Sequence, residues 1–119
     1  MRNEIFLLRQ YGAKPDRAVK NYGGDEDFYL SCLQKFLSDD SFEKLGLFVR
    51  SGSLKNSDKT AAFIEEFSEI LGLCELEEKT KKLRLSLSSG HLKKAIEDFS
   101  AVVSEKDRLK NYLIIKKST

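Results

Sequence analysis

Three glutamates lie close together in the segment TAAFIEEFSEILGL, residues 60–73, and their spacing is the first feature of this sequence that suggests a chemical role. On a helix of about 100° per residue, the apolar side chains of this segment occupy one half of the surface. Glu65, Glu66 and Glu69 occupy the other half, and Ala62 lies among them. The pattern predicts an amphipathic helix whose water-facing side is acidic, with a bare methyl group at its centre.

Other potentially reactive residues are few and isolated. The only histidine, His91, follows a Ser-Ser-Gly turn, so we expect it to face water in the first turn of a helix. Cys32 and Cys74 lack the paired spacing of a zinc or redox site, and we interpret them as small buried apolar residues. No serine, cysteine or carboxylate pair has a second catalytic partner at a recognisable spacing. The sequence therefore predicts no enzyme activity, no metal and no cofactor.

Charge is distributed unevenly along the chain. Residues 1–78 contain 10 basic and 15 acidic residues, whereas residues 79–119 contain 11 basic and 4 acidic residues. We interpret these as faces of opposite sign that attract one another inside a helical bundle. The alternative is that the basic segment 79–94 binds nucleic acid, but KTKKLRLSLSSGHLKK contains no aromatic residue on which bases would stack. We therefore expect no nucleic-acid partner.

Length and composition predict one globular domain over residues 1–119. The chain is 40% hydrophobic and 34% charged, which is typical of a folded globular domain. No apolar run approaches the roughly 20 residues of a membrane-spanning helix. Glu4 and Arg9 occupy the region that would be apolar in a signal sequence. We expect a monomeric cytoplasmic protein without a membrane partner.

The elements that position these residues are predicted to be helices. No segment alternates apolar and polar residues over the length of a strand. Gly12 and Gly23 are predicted to end two short helices, the second of which has Pro15 in its first turn. Gly52 and Gly72 are predicted to end two of the longer helices. The expected fold class is all-α, an up-and-down four-helix bundle with one or two short N-terminal helices.

Capping signals and apolar stripes define the longer helices. Asp25 is predicted to cap the helix EDFYLSCLQKFLSD. Asp40 and Glu43 have the spacing of a capping box. Asn56 or Ser57 is predicted to cap the helix that contains the three glutamates. The side chains predicted to face the core are Phe28, Tyr29, Cys32, Leu33, Phe36 and Leu37, then Phe42, Leu45, Phe48 and Val49, then Leu73, Leu76, Thr80, Leu83 and Leu87, and finally Leu92, Ala95, Ile96, Phe99, Val102, Val103 and Leu109.

The segment YGAKPDRAVKNYGGDEDFYLSCLQKFLSDDSFEKL resembles the N-terminal half of bacterial histidine phosphotransfer (HPt) domains, which relay phosphoryl groups in two-component signalling. Gly23, Gly24, Asp25, Tyr29 and Phe36 stand where that family's pattern has similar residues. Downstream, ILGLCELEEKTKKLR resembles the family's Leu-Gly step into the helix packed behind the active one. The resemblance implies an HPt-like helical bundle.

HPt domains carry their reactive histidine in a motif of the form A-H-x-L-K-G on an exposed helix face. The resemblance places this motif on the string AAFIEE, in which Ala61 and Ile64 keep the packing positions. Ala62 replaces the phosphoacceptor histidine, Glu65 the lysine and Glu66 the glycine. The resemblance therefore implies an acceptor site that has lost its nucleophile and whose charge would repel a phosphoryl group.

The function implied by this resemblance is that of a non-phosphorylatable regulatory module, which binds a response-regulator receiver domain or a histidine kinase without phosphotransfer. Phe63 would supply an aromatic anchor beside a charged rim. The alternatives are phosphotransfer through His91, nucleic-acid binding through residues 79–94, or, for the glutamates, a plain solvated face. The predicted protein-binding residues are Ala62, Phe63, Glu65, Glu66 and Glu69.

Overall fold

The computed structural model describes residues 3–118, with side chains placed for residues 3–114, and this part of the chain contains helices but no strand. The predicted all-helical fold class is confirmed. The sequence predicts four main helices and one or two short ones, whereas the described residues form seven. In chain order they are α1 (Asn3–Tyr11), α2 (Pro15–Lys20), α3 (Glu26–Leu37), α4 (Ser41–Arg50), α5 (Leu54–Ile70), α6 (Cys74–Ser88) and α7 (Leu92–Ser118).

Three-residue corners of one repeated geometry join α4 to α5, α5 to α6 and α6 to α7. Each corner has a central glycine with a positive φ, 74° at Gly52, 75° at Gly72 and 72° at Gly90. The residue after each glycine donates its N–H to the carbonyl five residues earlier, which is the Schellman arrangement that ends a helix. These bonds run from Ser53 to Phe48 (2.9 Å), from Leu73 to Ser68 (2.8 Å) and from His91 to Ser86 (3.1 Å).

The helices pack around a single core. α5 contacts α4 and α6, α7 contacts α6 and α4, and α1 lies against α7 and α2. Buried apolar residues from all seven helices belong to this core. The predicted seam on α6 is confirmed, because Leu73, Leu76, Thr80, Leu83 and Leu87 are all buried. Across the described residues, no helix is both long enough and apolar enough to span a lipid bilayer.

Several positions that were predicted to be buried lie at the surface. The exposed fraction is 55% for Phe28, 40% for Leu92 and 43% for Ile96, whereas Leu30, outside the predicted stripe, is 6% exposed. Phe28 lies in the first turn of α3, and Leu92 is the first residue of α7. Periodicity shows which side of a helix is apolar but not how far a neighbouring helix covers it. The half-buried members of the predicted core are Cys32, Phe48, Cys74 and Val103.

Of the three N-terminal helix caps predicted from the sequence, the structure shows only the one at Asp25. The Asp25 carboxylate accepts the Phe28 N–H at 3.0 Å and caps α3, as predicted. At α4 the capping box is wrong, because Asp40 forms no side-chain cap bond. The Asp39 carboxylate accepts the Ser41 N–H at 2.9 Å instead. The carboxylate of Asp39, one residue before Asp40, therefore accepts the hydrogen bond at the start of α4.

The start of α5 also differs from the prediction. The helix begins at Leu54, so Asn56 and Ser57 lie inside it and do not cap it. The Asn56 side chain instead donates to the Ser53 hydroxyl at 2.9 Å. The tight corner at Gly52 explains the early start, because the chain turns within three residues and the next helix follows at once.

The N-terminal helices hold the C-terminal end of α5. The last carbonyls of a helix have no partner within the helix and must bond to other groups or to water. Here three successive carbonyls at this end accept hydrogen bonds from the region of α1 to α3, which fixes α5 relative to that region. The bonds run from Asn21 Nδ2 to the Ile70 carbonyl (3.0 Å), from the Tyr29 hydroxyl to Leu71 (2.8 Å) and from the Lys14 N–H to Gly72 (2.9 Å).

Candidate functional site

The three glutamates of α5 have different surroundings. Glu66 and Glu69 are exposed, as the sequence predicts, but Glu65 is half-buried. Glu65 Oε1 accepts a hydrogen bond from Arg84 Nη1 on α6 at 3.2 Å. The prediction of one continuous water-facing acidic surface is therefore wrong at Glu65, because a cation from the neighbouring helix contacts that carboxylate.

Arg84 joins α6 to two carboxylates of α5. Its Nε and Nη2 donate to the two carboxylate oxygens of Asp58, at 2.9 and 3.3 Å, while Nη1 reaches Glu65. The hydrogen bond to Asp58, followed by that to Glu65, raises the pKa of Arg84, so the guanidinium stays charged. Its side chain is 36% exposed, and water screens these ion pairs. The cluster positions α6 against α5 without being a strong source of stability.

Ala62 lies between the two carboxylates that Arg84 bridges. It is one turn beyond Asp58 and three residues before Glu65, so all three residues share one side of α5. Ala62 is half-buried, which corrects the prediction that it points into water. A methyl group adds little bulk between two carboxylates that share one guanidinium. This position on α5 therefore suits a small residue.

Phe63 lies beside a groove between α3 and α5. The Phe63 side chain is 41% exposed, and its ring centroid is 4.8 Å from that of Phe67. Phe67 stacks in turn on Phe36 of α3, at 6.1 Å between centroids. This groove has a volume of ≈ 290 Å³. Its other lining residues are Tyr22, Cys32, Lys35, Asp39 and Leu71.

The structure divides the five predicted site residues among different surroundings. Ala62 and Glu65 lie near α6 and its arginine, whereas Phe63 lines the groove toward α3. Glu66 and Glu69 project into solvent. The spacing of Asp58, Ala62 and Glu65 indicates a shared strip on one helix, but nothing in that spacing identifies Arg84 as its partner. Sequence reasoning also missed the contribution of α3 to the groove.

The basic segment 79–94 extends from the middle of α6 into the first turn of α7. Three of its six basic residues form ion pairs with carboxylates of this chain, which reduces the charge available to phosphate groups. This pairing weakens the nucleic-acid alternative. The pairs are Lys81 with Glu77, Arg84 with Asp58 and Glu65, and Lys94 with Asp98.

The His91 side chain is exposed, as the sequence predicts, but His91 lies in the corner one residue before α7 and not in the first turn of the helix. It is not in the middle of a helix, where the resemblance requires the phosphoacceptor. Within residues 3–114, no three side chains among His, Cys, Asp and Glu are grouped so as to hold a metal ion.

Comparisons with protein-family models, with curated proteins and with solved structures found no match. The resemblance to HPt domains consequently depends on the sequence motifs quoted above.

Proposed function

We propose that this chain is an HPt-like protein-binding module of two-component signalling, which docks a receiver domain or a histidine kinase and transfers no phosphoryl group. The observation that carries the proposal is the local arrangement at the aligned acceptor position. Ala62 offers no nucleophile, while the adjacent Phe63 is 41% exposed above an open groove. Exposed aromatic anchors beside a charged rim are typical of protein-binding sites.

The packing of the last four helices supports an HPt-like, up-and-down four-helix bundle. α4 to α7 follow one another through three-residue corners, and α7 returns to contact α4. Short connections favour antiparallel neighbours in such bundles. α1 to α3 precede these four helices, and α3 supplies one wall of the Phe63 groove.

The charges around Ala62 favour docking over phosphotransfer. Arg84 is already bound to two carboxylates, so it is not available to neutralise a phosphoryl group. Glu66 is exposed on the same helix. A like charge at about 4 Å costs on the order of 1 to 4 kcal/mol, depending on the screening. A receiver domain would therefore bind this face without giving up its phosphoryl group.

A panel of purified receiver domains and histidine kinases tests this proposal. Each receiver is phosphorylated on its aspartate with a small acyl phosphate, and binding to the full chain is measured by biolayer interferometry. We expect at least one of them to bind and no acid-labile phosphate to appear on this chain. Phe63→Ala should weaken that binding about tenfold, as loss of an aromatic anchor does. Leu47→Ala, at a 63% exposed position on α4, is the matched control and should bind like the wild type.

Two results would contradict the proposal. Phosphate on the wild type that disappears in the His91→Ala variant would show phosphotransfer through His91. If no receiver domain or kinase in the panel binds, the proposed partners are wrong. If Phe63→Ala and Leu47→Ala weaken binding equally, the proposed binding face is wrong.

A further inference from the structure

A strip on the outer side of α4 carries an exposed leucine between two opposite charges. Glu43, Leu47 and Arg50 follow one another at i, i+4 and i+7, so their side chains share one side of the helix. All three are exposed, and the exposed fraction of Leu47 is 63%. We call these three residues the α4 strip. The role proposed for the Phe63 face leaves this strip unused.

Exposed apolar side chains of α7 continue this surface. Leu92 is 40% exposed, and its Cδ2 would be 3.8 Å from a Cβ placed on Gly52, just after the end of α4. Ile96, one turn further along α7, is 43% exposed. Phe99 then packs against Gly46 of α4, where a Cβ would be only 2.7 Å from the phenyl ring. The apolar edge of α7 therefore runs beside α4, and contiguous exposed apolar residues mark interaction surfaces.

The two charges of the α4 strip are not neutralised by the described side chains. Neither Glu43 nor Arg50 forms an ion pair with any of them. The guanidinium carbon of Arg50 lies 5.8 Å from the centroid of the Phe99 ring, a contact that orients the cation but leaves its charge. The neighbouring charges are paired, Lys44 with Asp40 at 3.4 Å and Lys106 with Asp107 at 2.7 Å. A molecule that binds the strip must therefore bring a cation to Glu43 and an anion to Arg50.

We propose that the α4 strip binds the same strip of a second copy of this chain. In this dimer the two α4 helices run antiparallel across a two-fold axis that passes close to Leu47. Glu43 and Arg50 lie on either side of Leu47 along the helix, so this symmetry brings Glu43 of each copy to Arg50 of the other. The Leu47 side chains pack between the two ion pairs, beside Ile96.

The order of the charges selects a second copy over other partners. A uniformly acidic or uniformly basic partner would place a like charge at one end of the strip, which disfavours binding. A second copy supplies both signs in the required order. The dimer differs from the monomer expected from the sequence, because the exposure of Leu47 and Ile96 depends on how α4 and α7 pack. It does not depend on the function proposed for the Phe63 face, which lies between α3 and α5.

Sedimentation equilibrium of the full chain, from micromolar to millimolar concentrations, measures this self-association. We expect the weight-average mass to rise reversibly from that of one chain to that of two and no further, because a two-fold contact closes on itself. The dimer should dissociate more readily as salt is added, since its ion pairs lie at exposed positions. A mass that stays at one chain at every concentration would overturn the proposal.

Charge reversals test the pairing of Glu43 with Arg50. Glu43→Arg and Arg50→Glu should each raise the dissociation constant of the dimer at least about tenfold, because each places like charges opposite one another. The two substitutions in one chain keep the wild-type net charge and exchange the two signs, so the dimer should return. Glu78→Arg makes the same charge change as Glu43→Arg at an exposed position on α6 and should dimerise nearly as well as the wild type. A double variant no better than the single ones, or an equal loss with Glu78→Arg, would overturn the proposal.

An apolar variant tests the centre of the strip. Leu47→Ser should raise the dissociation constant of the dimer at least about tenfold, while Leu85→Ser, at a 68% exposed position on α6, should not. Circular dichroism spectra that match the wild type verify that all the variants are folded. Equal effects of the two leucine variants would show that exposed apolar side chains associate without a defined interface, and would overturn the proposal.

Discussion

At some positions of this protein, groups from another part of the chain limit which type of residue fits. Ala62 lies between two carboxylates that share Arg84, and Gly72 lies where the corner between α5 and α6 meets the backbone before α2. The Lys14 N–H donates to the Gly72 carbonyl at 2.9 Å. At Gly72 a side chain would meet the backbone of Lys14, which is distant in sequence.

Gly72→Ala should destabilise the protein more than Gly90→Ala does. Both glycines have a positive φ, 75° and 72°, so either substitution strains the backbone by about 1–2 kcal/mol. A Cβ at Gly72 would also overlap the Lys14 carbonyl oxygen, whereas nothing lies near one at Gly90. We expect Gly72→Ala to lose roughly a further 1–3 kcal/mol in urea denaturation. Equal losses would show that the two corners do not pack as described.

Arg84→Met should lower the free energy of unfolding by about 0.5–1 kcal/mol, because it leaves two carboxylates without their shared cation at a partly exposed site. Lys81→Met is the matched control, since Lys81 forms an ion pair with Glu77 across one turn of α6. Urea denaturation at low and high salt measures both variants. The loss for Arg84→Met should shrink as salt is added. A loss independent of salt would point to packing by the arginine stem instead.

Hydrogen bonds join the N-terminal helices to α5 and α7. The end of α5 accepts three bonds from the N-terminal region, one of them from the buried Tyr29 on α3. α1 is joined to α7, because the Tyr11 hydroxyl donates to Glu105 Oε2 at 2.6 Å. Arg108 Nη2 donates to the other oxygen of that buried carboxylate at 2.7 Å. These bonds attach α1 and α3 to the longer helices.

Tyr29→Phe should cost about 1–3 kcal/mol, because it removes the donor from the buried Leu71 carbonyl and leaves that oxygen unpaired. Tyr22→Phe is the control. The structure shows no hydrogen bond from the Tyr22 hydroxyl to any described residue, and we expect a loss below about 0.5 kcal/mol. Thermal denaturation compares the two variants. Similar melting temperatures for both would mean that the Tyr29 bond adds little to the docking of α3.

Stability should fall in alkaline solution as the half-buried Tyr11 ionises. Burial, followed by the hydrogen bond to Glu105, raises the pKa of Tyr11 to about 12. Because this folded-state pKa is above the unfolded value of about 10, the stabilisation is complete below pH 10 and is lost as the pH rises through 12. Denaturation at several pH values should show a steeper alkaline decline for the wild type than for Tyr11→Phe. Parallel declines would contradict the assignment.

The whole molecule is expected to unfold as one unit, because all seven helices contribute to one core. The chain has no tryptophan and four tyrosines, three of them in the N-terminal quarter, so tyrosine fluorescence reports mainly on the region of α1 to α3. Circular dichroism reports on every helix. Urea transitions followed by the two signals should coincide. A tyrosine transition at lower urea would show that the N-terminal helices unfold separately.

The sequence by itself determined the helical class, the glycine corners at Gly52 and Gly72, the cap at Asp25 and the buried seam on α6. Each of these depends on a local property, such as a backbone angle or apolar periodicity. The tertiary structure decided that Arg84 contacts Glu65, that Ala62 is half-buried and that Phe63 faces α3. These features depend on which helices become neighbours, and contacts between residues far apart in the chain decide that.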